Sequence, residues 1–437
     1  MRRKVVLSIT WGVLFLLLSA CSVFEQEPLP TLVPVIELPE ETATATAVNT
    51  TAQTSETAVP PTFTPPAAEP VATEAPTPTA TPIPPQTIDN RGALVYINSA
   101  GAGLFLTRPD GSAQTQYYAL EGVTSLLPAS FNGQRIGFVQ DGQLMVARTD
   151  GSGLGEITAV ANPAWLIWSP TADQFALVDN GDLVVIQADS GAANRVVTGM
   201  QLANIPGSVV WSSDGRQLLF TCGAQATDLC RVAADASEAV VNLTNNGADS
   251  FAWYREPRWS PDGSLISYVS PDADKNLQLW VMNADGSGAR QLTVGSGQSS
   301  LHQWSPDGQR LVYALFADNA WHARVVNVDG TNDLDLTGGL PALAAVVPQW
   351  GAQGAQVGLL YTADAAVDAV SIALVAVDGT AVTPLTDNGW QLTWSADGQQ
   401  VAYIAGDGQI YIHVASGGDN PRIITCEGGC KSFVWLP

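Results

Sequence analysis

The sequence predicts an all-β chain: an eight-bladed β-propeller, with seven blades as the alternative, closed by its C-terminal strand and preceded by a disordered N-terminal spacer. Three observations predict it. The phrase Trp-Ser-x-Asp-Gly, each time followed by an apolar strand, recurs from Trp211, Trp259, Trp304 and Trp394, and worn copies begin at Phe131, Trp168, Trp350 and Trp435. From Phe131 the aromatics are spaced by 37, 43, 48, 45, 46, 44 and 41 residues. A period in the forties built from short strands marks an architecture whose repeats bury their faces only against one another. Third, the two ends complete each other: Ala93–Asn98 reads as a second strand with no first strand before it, and Ser432–Trp435 as a first strand with nothing after it. Joined, they make one shared blade, which removes the exposed sheet edges an open ring would leave.

The chain begins with Arg2, Arg3 and Lys4, then an apolar run from Val5 to Leu18, then Ser19-Ala20-Cys21. A basic start, a short apolar stretch and small residues before the cut make residues 1–20 a secretory signal, and the run is too short to be a comfortable membrane span. Leu18-Ser19-Ala20-Cys21 resembles the bacterial lipobox, which implies a lipidated Cys21 as the mature first residue. Each buried CH₂ of its acyl chains adds about 0.8 kcal/mol of membrane affinity. The expectation is an extracytoplasmic protein held on a bacterial membrane through Cys21 only.

Residues 21–90 read as the lipidated cysteine and its linker. Between Glu41 and Asn90, Thr, Pro and Ala fill 34 of 50 positions, with one aromatic, Phe63, and no Lys or Arg. Such a stretch cannot bury enough apolar surface to offset its chain entropy, and its prolines favour an extended spacer. Removing residues 1–20 leaves 15 basic against 41 acidic residues, a net charge of −26. Nucleic-acid binding rests on neutralised phosphates, so DNA and RNA are excluded as partners.

Residues 91–437 carry the propeller. In the clearest repeat, Pro257–Ser260 is a first strand, Pro261-Asp262-Gly263 a turn, and Leu265–Val269 a second strand. Ser270–Asn276 is a hairpin loop, Leu277–Met282 a third strand, Asp285-Gly286-Ser287-Gly288 a turn, and Arg290–Thr293 a fourth strand. Asp and Gly are the residues such turns require, and the strands have ordinary lengths and a β-branched and aromatic bias. The recurring tryptophans are expected to wedge between blades. Four cysteines remain, in two close pairs: Cys222 with Cys230, and Cys426 with Cys430. Local pairing is favoured because the two clusters fall in different blades, and an oxidising compartment suits it. The chain has three histidines, His302, His322 and His413, none near either pair, and neither a metal nor another cofactor is expected. Asp272, Asp274 and Asn276 have the alternation of a calcium loop but lack its glycine and distal glutamate, so a plain hairpin loop is expected.

The W-S-P-D-G repeat with its following apolar strand, D-G-S-x turn and closing Leu-Thr resembles the TolB-like, WD-repeat-like β-propeller family, from Ala93 to Pro437. The chain lacks the Gly-His and Trp-Asp signatures of eukaryotic WD repeats. It also lacks the small α/β domain that precedes the TolB propeller, so the resemblance implies the fold and a general binding role and does not transfer that family's partners. Related propellers gate serine peptidases, but those need a G-x-S-x-G elbow, and this sequence has none.

The functional expectation is a non-catalytic, monomeric binding or scaffolding module for protein or carbohydrate at the cell envelope. The alternative is a polysaccharide-active enzyme, a propeller lyase or glycosidase, with its site at the channel mouth. The candidate ligand-binding residues lie in loops entering the first strands: Trp165, Phe251, Trp253, Tyr254, Arg255, His302 and Trp390. Aromatic and Arg side chains at a rim suit recognition of peptide or sugar.

Overall fold

The computed structural model describes residues 92–437, apart from 100–102, 157–165, 201, 203–207, 223–227, 246–253, 364–368 and 418–419. The signal peptide, Cys21 and the spacer lie outside the described residues. Among the described residues the regular structure is entirely β, and it forms eight four-stranded antiparallel sheets. No described helix is long and apolar enough to cross a membrane.

Blade 1 takes Leu94–Asn98, Leu104–Thr107 and Thr115–Tyr118 from the start of the propeller and Cys430–Trp435 from its end. Leu94 pairs with Trp435, Tyr96 with Phe433 and Ile97 with Ser432, so the ends close the ring in the predicted way. Blades 2 to 8 are consecutive meanders. Their first strands are Val123–Ala129, Ile167–Trp168, Val209–Trp211, Arg255–Trp259, Gln298–Trp304, Ala345–Trp350 and Gly389–Trp394. First strands of neighbouring blades touch, including those of blades 8 and 1 and of blades 1 and 2, which makes them the inner ring. The ring therefore has eight blades.

Core lies between blades more than within them. One cluster joins Leu183, Val185 and Val197 of blade 3 to Trp211, Leu218 and Phe220 of blade 4. Another joins Leu94, Phe433 and Trp435 of blade 1 to Ile404, Ile410 and Ile424 of blade 8. A blade is four strands with two apolar faces, and only neighbours on both sides can cover them.

The repeated phrase is local chemistry that builds this geometry. In blade 6 the Ser305 hydroxyl donates to Asp307 at 2.6 Å and accepts the Arg310 N–H at 2.9 Å, while Asp307 also accepts the Gln309 N–H. Gly308 then turns the chain at φ 68°, a conformation that favours glycine. Ser212, Ser260 and Ser395 repeat the arrangement, and every one of these serines is buried. Four of the repeat's tryptophans reach back a blade through their indole N–H groups. The indole N–H groups of Trp168, Trp211, Trp304 and Trp350 donate to Pro128, Ile167, Arg258 and Gln303 carbonyls on the preceding first strand. They are blade-to-blade wedges, as expected.

One reading of the repeat changes. Phe131 is not the aromatic of its blade: it is 43 % exposed and sits between Ser130 and Asn132, which make the serine-centred turn with Gly133. Ala129 holds the place of the tryptophan. Phe131 stands close to a worn turn, two positions out of register with the motif's aromatic.

Both cysteine pairs are disulfide-bonded locally. Cys222–Cys230 links the second and third strands of blade 4, and Cys426–Cys430 links the end of blade 8 to the first residue of the closing strand. Asp272 accepts the N–H groups of Asp274 and Asn276, so the D-x-D-x-N segment is a hairpin turn that caps its own backbone.

Candidate functional site on the innermost strands

The first strands begin earlier than the apolar pattern predicts, because several contain a bulge. Pairing shifts between Arg255 and Arg258, between Ser300 and Gln303, and between Trp390 and Thr393. At each bulge, three residues before the strand's tryptophan, one non-glycine residue takes a left-handed conformation: Glu256 at φ 53°, Leu301 at 52° and Gln391 at 59°. Each such residue costs on the order of 1 kcal/mol or more, so the surroundings must hold it.

Hydrogen bonds to the next blade do so. The Glu256 carboxylate accepts the Leu301 N–H at 2.6 Å, joining blade 5 to blade 6. The Gln391 side chain both donates to the Phe433 carbonyl and accepts its N–H, joining blade 8 to the closing strand. Between blades 6 and 7 the bridge comes instead from Gln303, which accepts the Trp350 N–H. These contacts make the inner ring a polar belt.

Around Glu256 the belt becomes a charged cluster. His302 is 1 % exposed, with its Nε2 2.9 Å from the Ser267 hydroxyl and its Nδ1 3.7 Å from the Glu256 carboxylate. Burial holds the His302 imidazole below the ordinary histidine value although Glu256 pulls the other way, so it is neutral at pH 7. Burial pushes Glu256 up, but its neighbours His302, Arg258 and the Leu301 N–H win and hold the carboxyl below its ordinary value. Burial likewise lowers Arg258, against the attraction of Glu256.

The predicted mouth residues separate on this frame. Trp165, Phe251 and Trp253 lie outside the described residues. Tyr254 is half-buried with its ring 5.2 Å from Tyr268, in the core between blades 4 and 5. Trp390 lies within a first strand and packs on the core between blades 8 and 1. Arg255 is exposed at the start of its strand. His302 is corrected: it does not precede a first strand but lies inside Gln298–Trp304, at the buried position that Pro257 and Leu392 hold in blades 5 and 8. His413 stacks on Tyr403 within its blade, as packing.

Sequence reasoning passed over three charged residues of the inner strands, Glu256, Arg258 and Lys431. The signal was present: Arg255, Ser300, Trp390 and Lys431 all stand four residues before the tryptophan of their own first strand. Among the described residues no group of three His, Cys, Asp or Glu side chains is arranged to hold a metal ion.

A family model described as the TolB beta propeller domain matches residues 130–391. The uncharacterized protein Atu1656 of Agrobacterium fabrum is 28 % identical over 167 residues, 35 % of this chain and 54 % of that protein. The Tol-Pal system protein TolB of Alcanivorax borkumensis is 36 % identical over 62 residues, 14 % of each chain. The chain thus spans less than two thirds of the length of these relatives. Among solved structures, dihydro-heme d1 dehydrogenase NirN in complex with DHE matches with a TM-score of 0.56 over 82 % of this chain and 76 % of that one. At 14 % identity this likeness is one of fold alone.

Proposed function

This chain belongs to the TolB β-propeller family, and from that premise we propose that it is a non-catalytic binding or scaffolding module for a protein or glycan, lipid-anchored at the bacterial cell envelope. The observation that carries the reading is the inner ring. Its strands carry the exposed Arg255 and the half-buried Lys431, while the histidine they contain is sealed beneath Glu256 against Ser267. A general acid or base must reach its substrate, and His302 has no exposed path to one. The support for the enzyme alternative is likeness of fold.

The anchoring part of the reading comes from Leu18–Cys21 and the Thr/Pro/Ala linker behind it. The full chain is used as bait in a detergent extract of its own envelope, alongside an Arg255→Ala variant and a Cys21→Ser variant. The proposal expects a partner that the wild type retains and the Arg255→Ala variant loses at unchanged melting temperature, and a Cys21→Ser chain that leaves the membrane fraction. A partner retained equally by the Arg255→Ala variant overturns the site. A Cys21→Ser chain that stays membrane-bound overturns the anchor.

A further inference from the structure

We propose that the Cys426–Cys430 disulfide is a redox latch on ring closure: a dithiol that reduces it lets the closing strand detach from blade 1. The inference does not depend on the binding reading. Blade 1 alone takes strands from both ends of the propeller, so Cys430–Trp435 pairs with Leu94–Asn98 without a chain connecting the two. Ladder bonds and packing hold the closing strand in place. Whatever restricts its freedom when detached therefore decides how often it leaves.

The disulfide is that restriction. The closing strand hangs from blade 8 on the tether Glu427-Gly428-Gly429, and the two cysteines staple the ends of this tether together. Gly428 and Gly429 stand at φ 71° and 93°, conformations that favour glycine. The Gly429 N–H closes the stapled turn by donating to the Cys426 carbonyl at 3.0 Å. Both neighbouring blades grip it. From blade 8, the Gly408 carbonyl accepts the Cys430 N–H and the Gln409 side chain accepts the Cys426 N–H, each at 2.6 Å. From blade 1, the Ser99 N–H donates to the Gly429 carbonyl at 2.7 Å. The last rung of the seam, Asn98 with Cys430, lies beyond a register shift at Ile97, so the stapled turn sets it rather than the regular ladder.

Reduction proceeds by thiol–disulfide exchange. One thiolate of the dithiol attacks a cysteine sulfur, the Cys426–Cys430 bond breaks, and the expelled sulfur takes a proton. The second thiol then displaces the mixed disulfide, so the two cysteines gain two electrons and two protons and the dithiol becomes a disulfide. Both sulfurs are buried, but Glu427 and Gly428 between them in the chain are exposed, so opening the tether alone admits the reagent. Once the staple is open, two glycines regain the widest backbone freedom of any residue, and the detached strand is favoured. Cys222–Cys230 does not act this way. It links two strands of one blade that already share a six-pair ladder, each with a further strand on its other edge.

The test follows the full chain by hydrogen exchange and mass spectrometry before and after dithiothreitol, with cysteine alkylation to map which bridge has opened. Opening Cys426–Cys430 should speed amide exchange in Leu94–Ile97 and Phe433–Trp435 at least roughly tenfold, the scale set by the entropy of so short a loop. Leu265–Val269 of blade 5 should exchange as before, and reoxidation should restore the slow seam. Cys426→Ala/Cys430→Ala should show the fast seam without reductant, and Cys222→Ala/Cys230→Ala the slow one until reductant is added. If the first variant does not fold, the reduced wild-type chain decides. A seam that exchanges at the same rate with the bridge open overturns the proposal. Exchange that rises equally in every blade also overturns it, since the bridge is then a general staple. So does a bridge that resists dithiothreitol in the folded chain.

Discussion

At the scale of single residues, one hydroxyl organises each repeated turn. Ser305 is fully buried, donates to Asp307 and accepts the N–H of Arg310, so it fixes both ends of the turn and the start of the second strand. Ser305→Ala should cost about 1–3 kcal/mol, because it strands a buried N–H as well as removing a bond. Chemical denaturation of the variant measures this, and an unchanged midpoint would refute the role. This chemistry was readable in advance, since Asp and Gly in a fixed frame announce a turn. The limit of such reading is blade 2, where Phe131 mimicked the motif's aromatic and Ala129 held its place. An aromatic's position in a string does not say whether its side chain enters a core.

At the scale of elements, the first strand is where sequence and structure diverge. The apolar pattern starts it at Pro257, but the pairing begins at Arg255, and in blade 6 at Gln298. A bulge adds a residue and breaks the alternation, so the period-2 signal fades where the channel residues lie. That is why His302 read as a loop residue and Glu256, Arg258 and Lys431 were passed over. The closing strand, by contrast, was legible from two incomplete ends. Its Phe433, Trp435 and Leu436 are buried. Deleting Phe433–Pro437 should therefore abolish cooperative folding or lower the melting temperature sharply. A truncated chain that melts like the intact one would refute closure as a source of stability.

At the scale of the whole molecule, the turn carboxylates add up to a pH dependence. Asp214, Asp262 and Asp307 are held below the ordinary aspartate value first by the serine hydroxyl two residues before each and then by a backbone N–H. Asp285, Asp329 and Asp378 are held down likewise by the Ser or Thr two residues after each. A carboxyl with a lowered folded-state pKa is protonated more readily in the unfolded chain, so its contribution is present above the ordinary value of 3.8 and lost as pH falls below it. The melting temperature should hold from neutral pH to about 5 and then fall as the pH drops through 4 and below. A flat melting temperature down to pH 3 would contradict it, at about one unit below the ordinary aspartate pKa.

Local composition and spacing were enough for the all-β class, the blade count, the turn residues and the cysteine pairs, because each depends on neighbours within one repeat or on a count of repeats. The charged inner ring was decided by tertiary structure alone. Arg255 and Lys431 lie 176 positions apart in the chain. Only closing eight blades into a ring sets them across one axis, and only the bulges fix the level at which they stand.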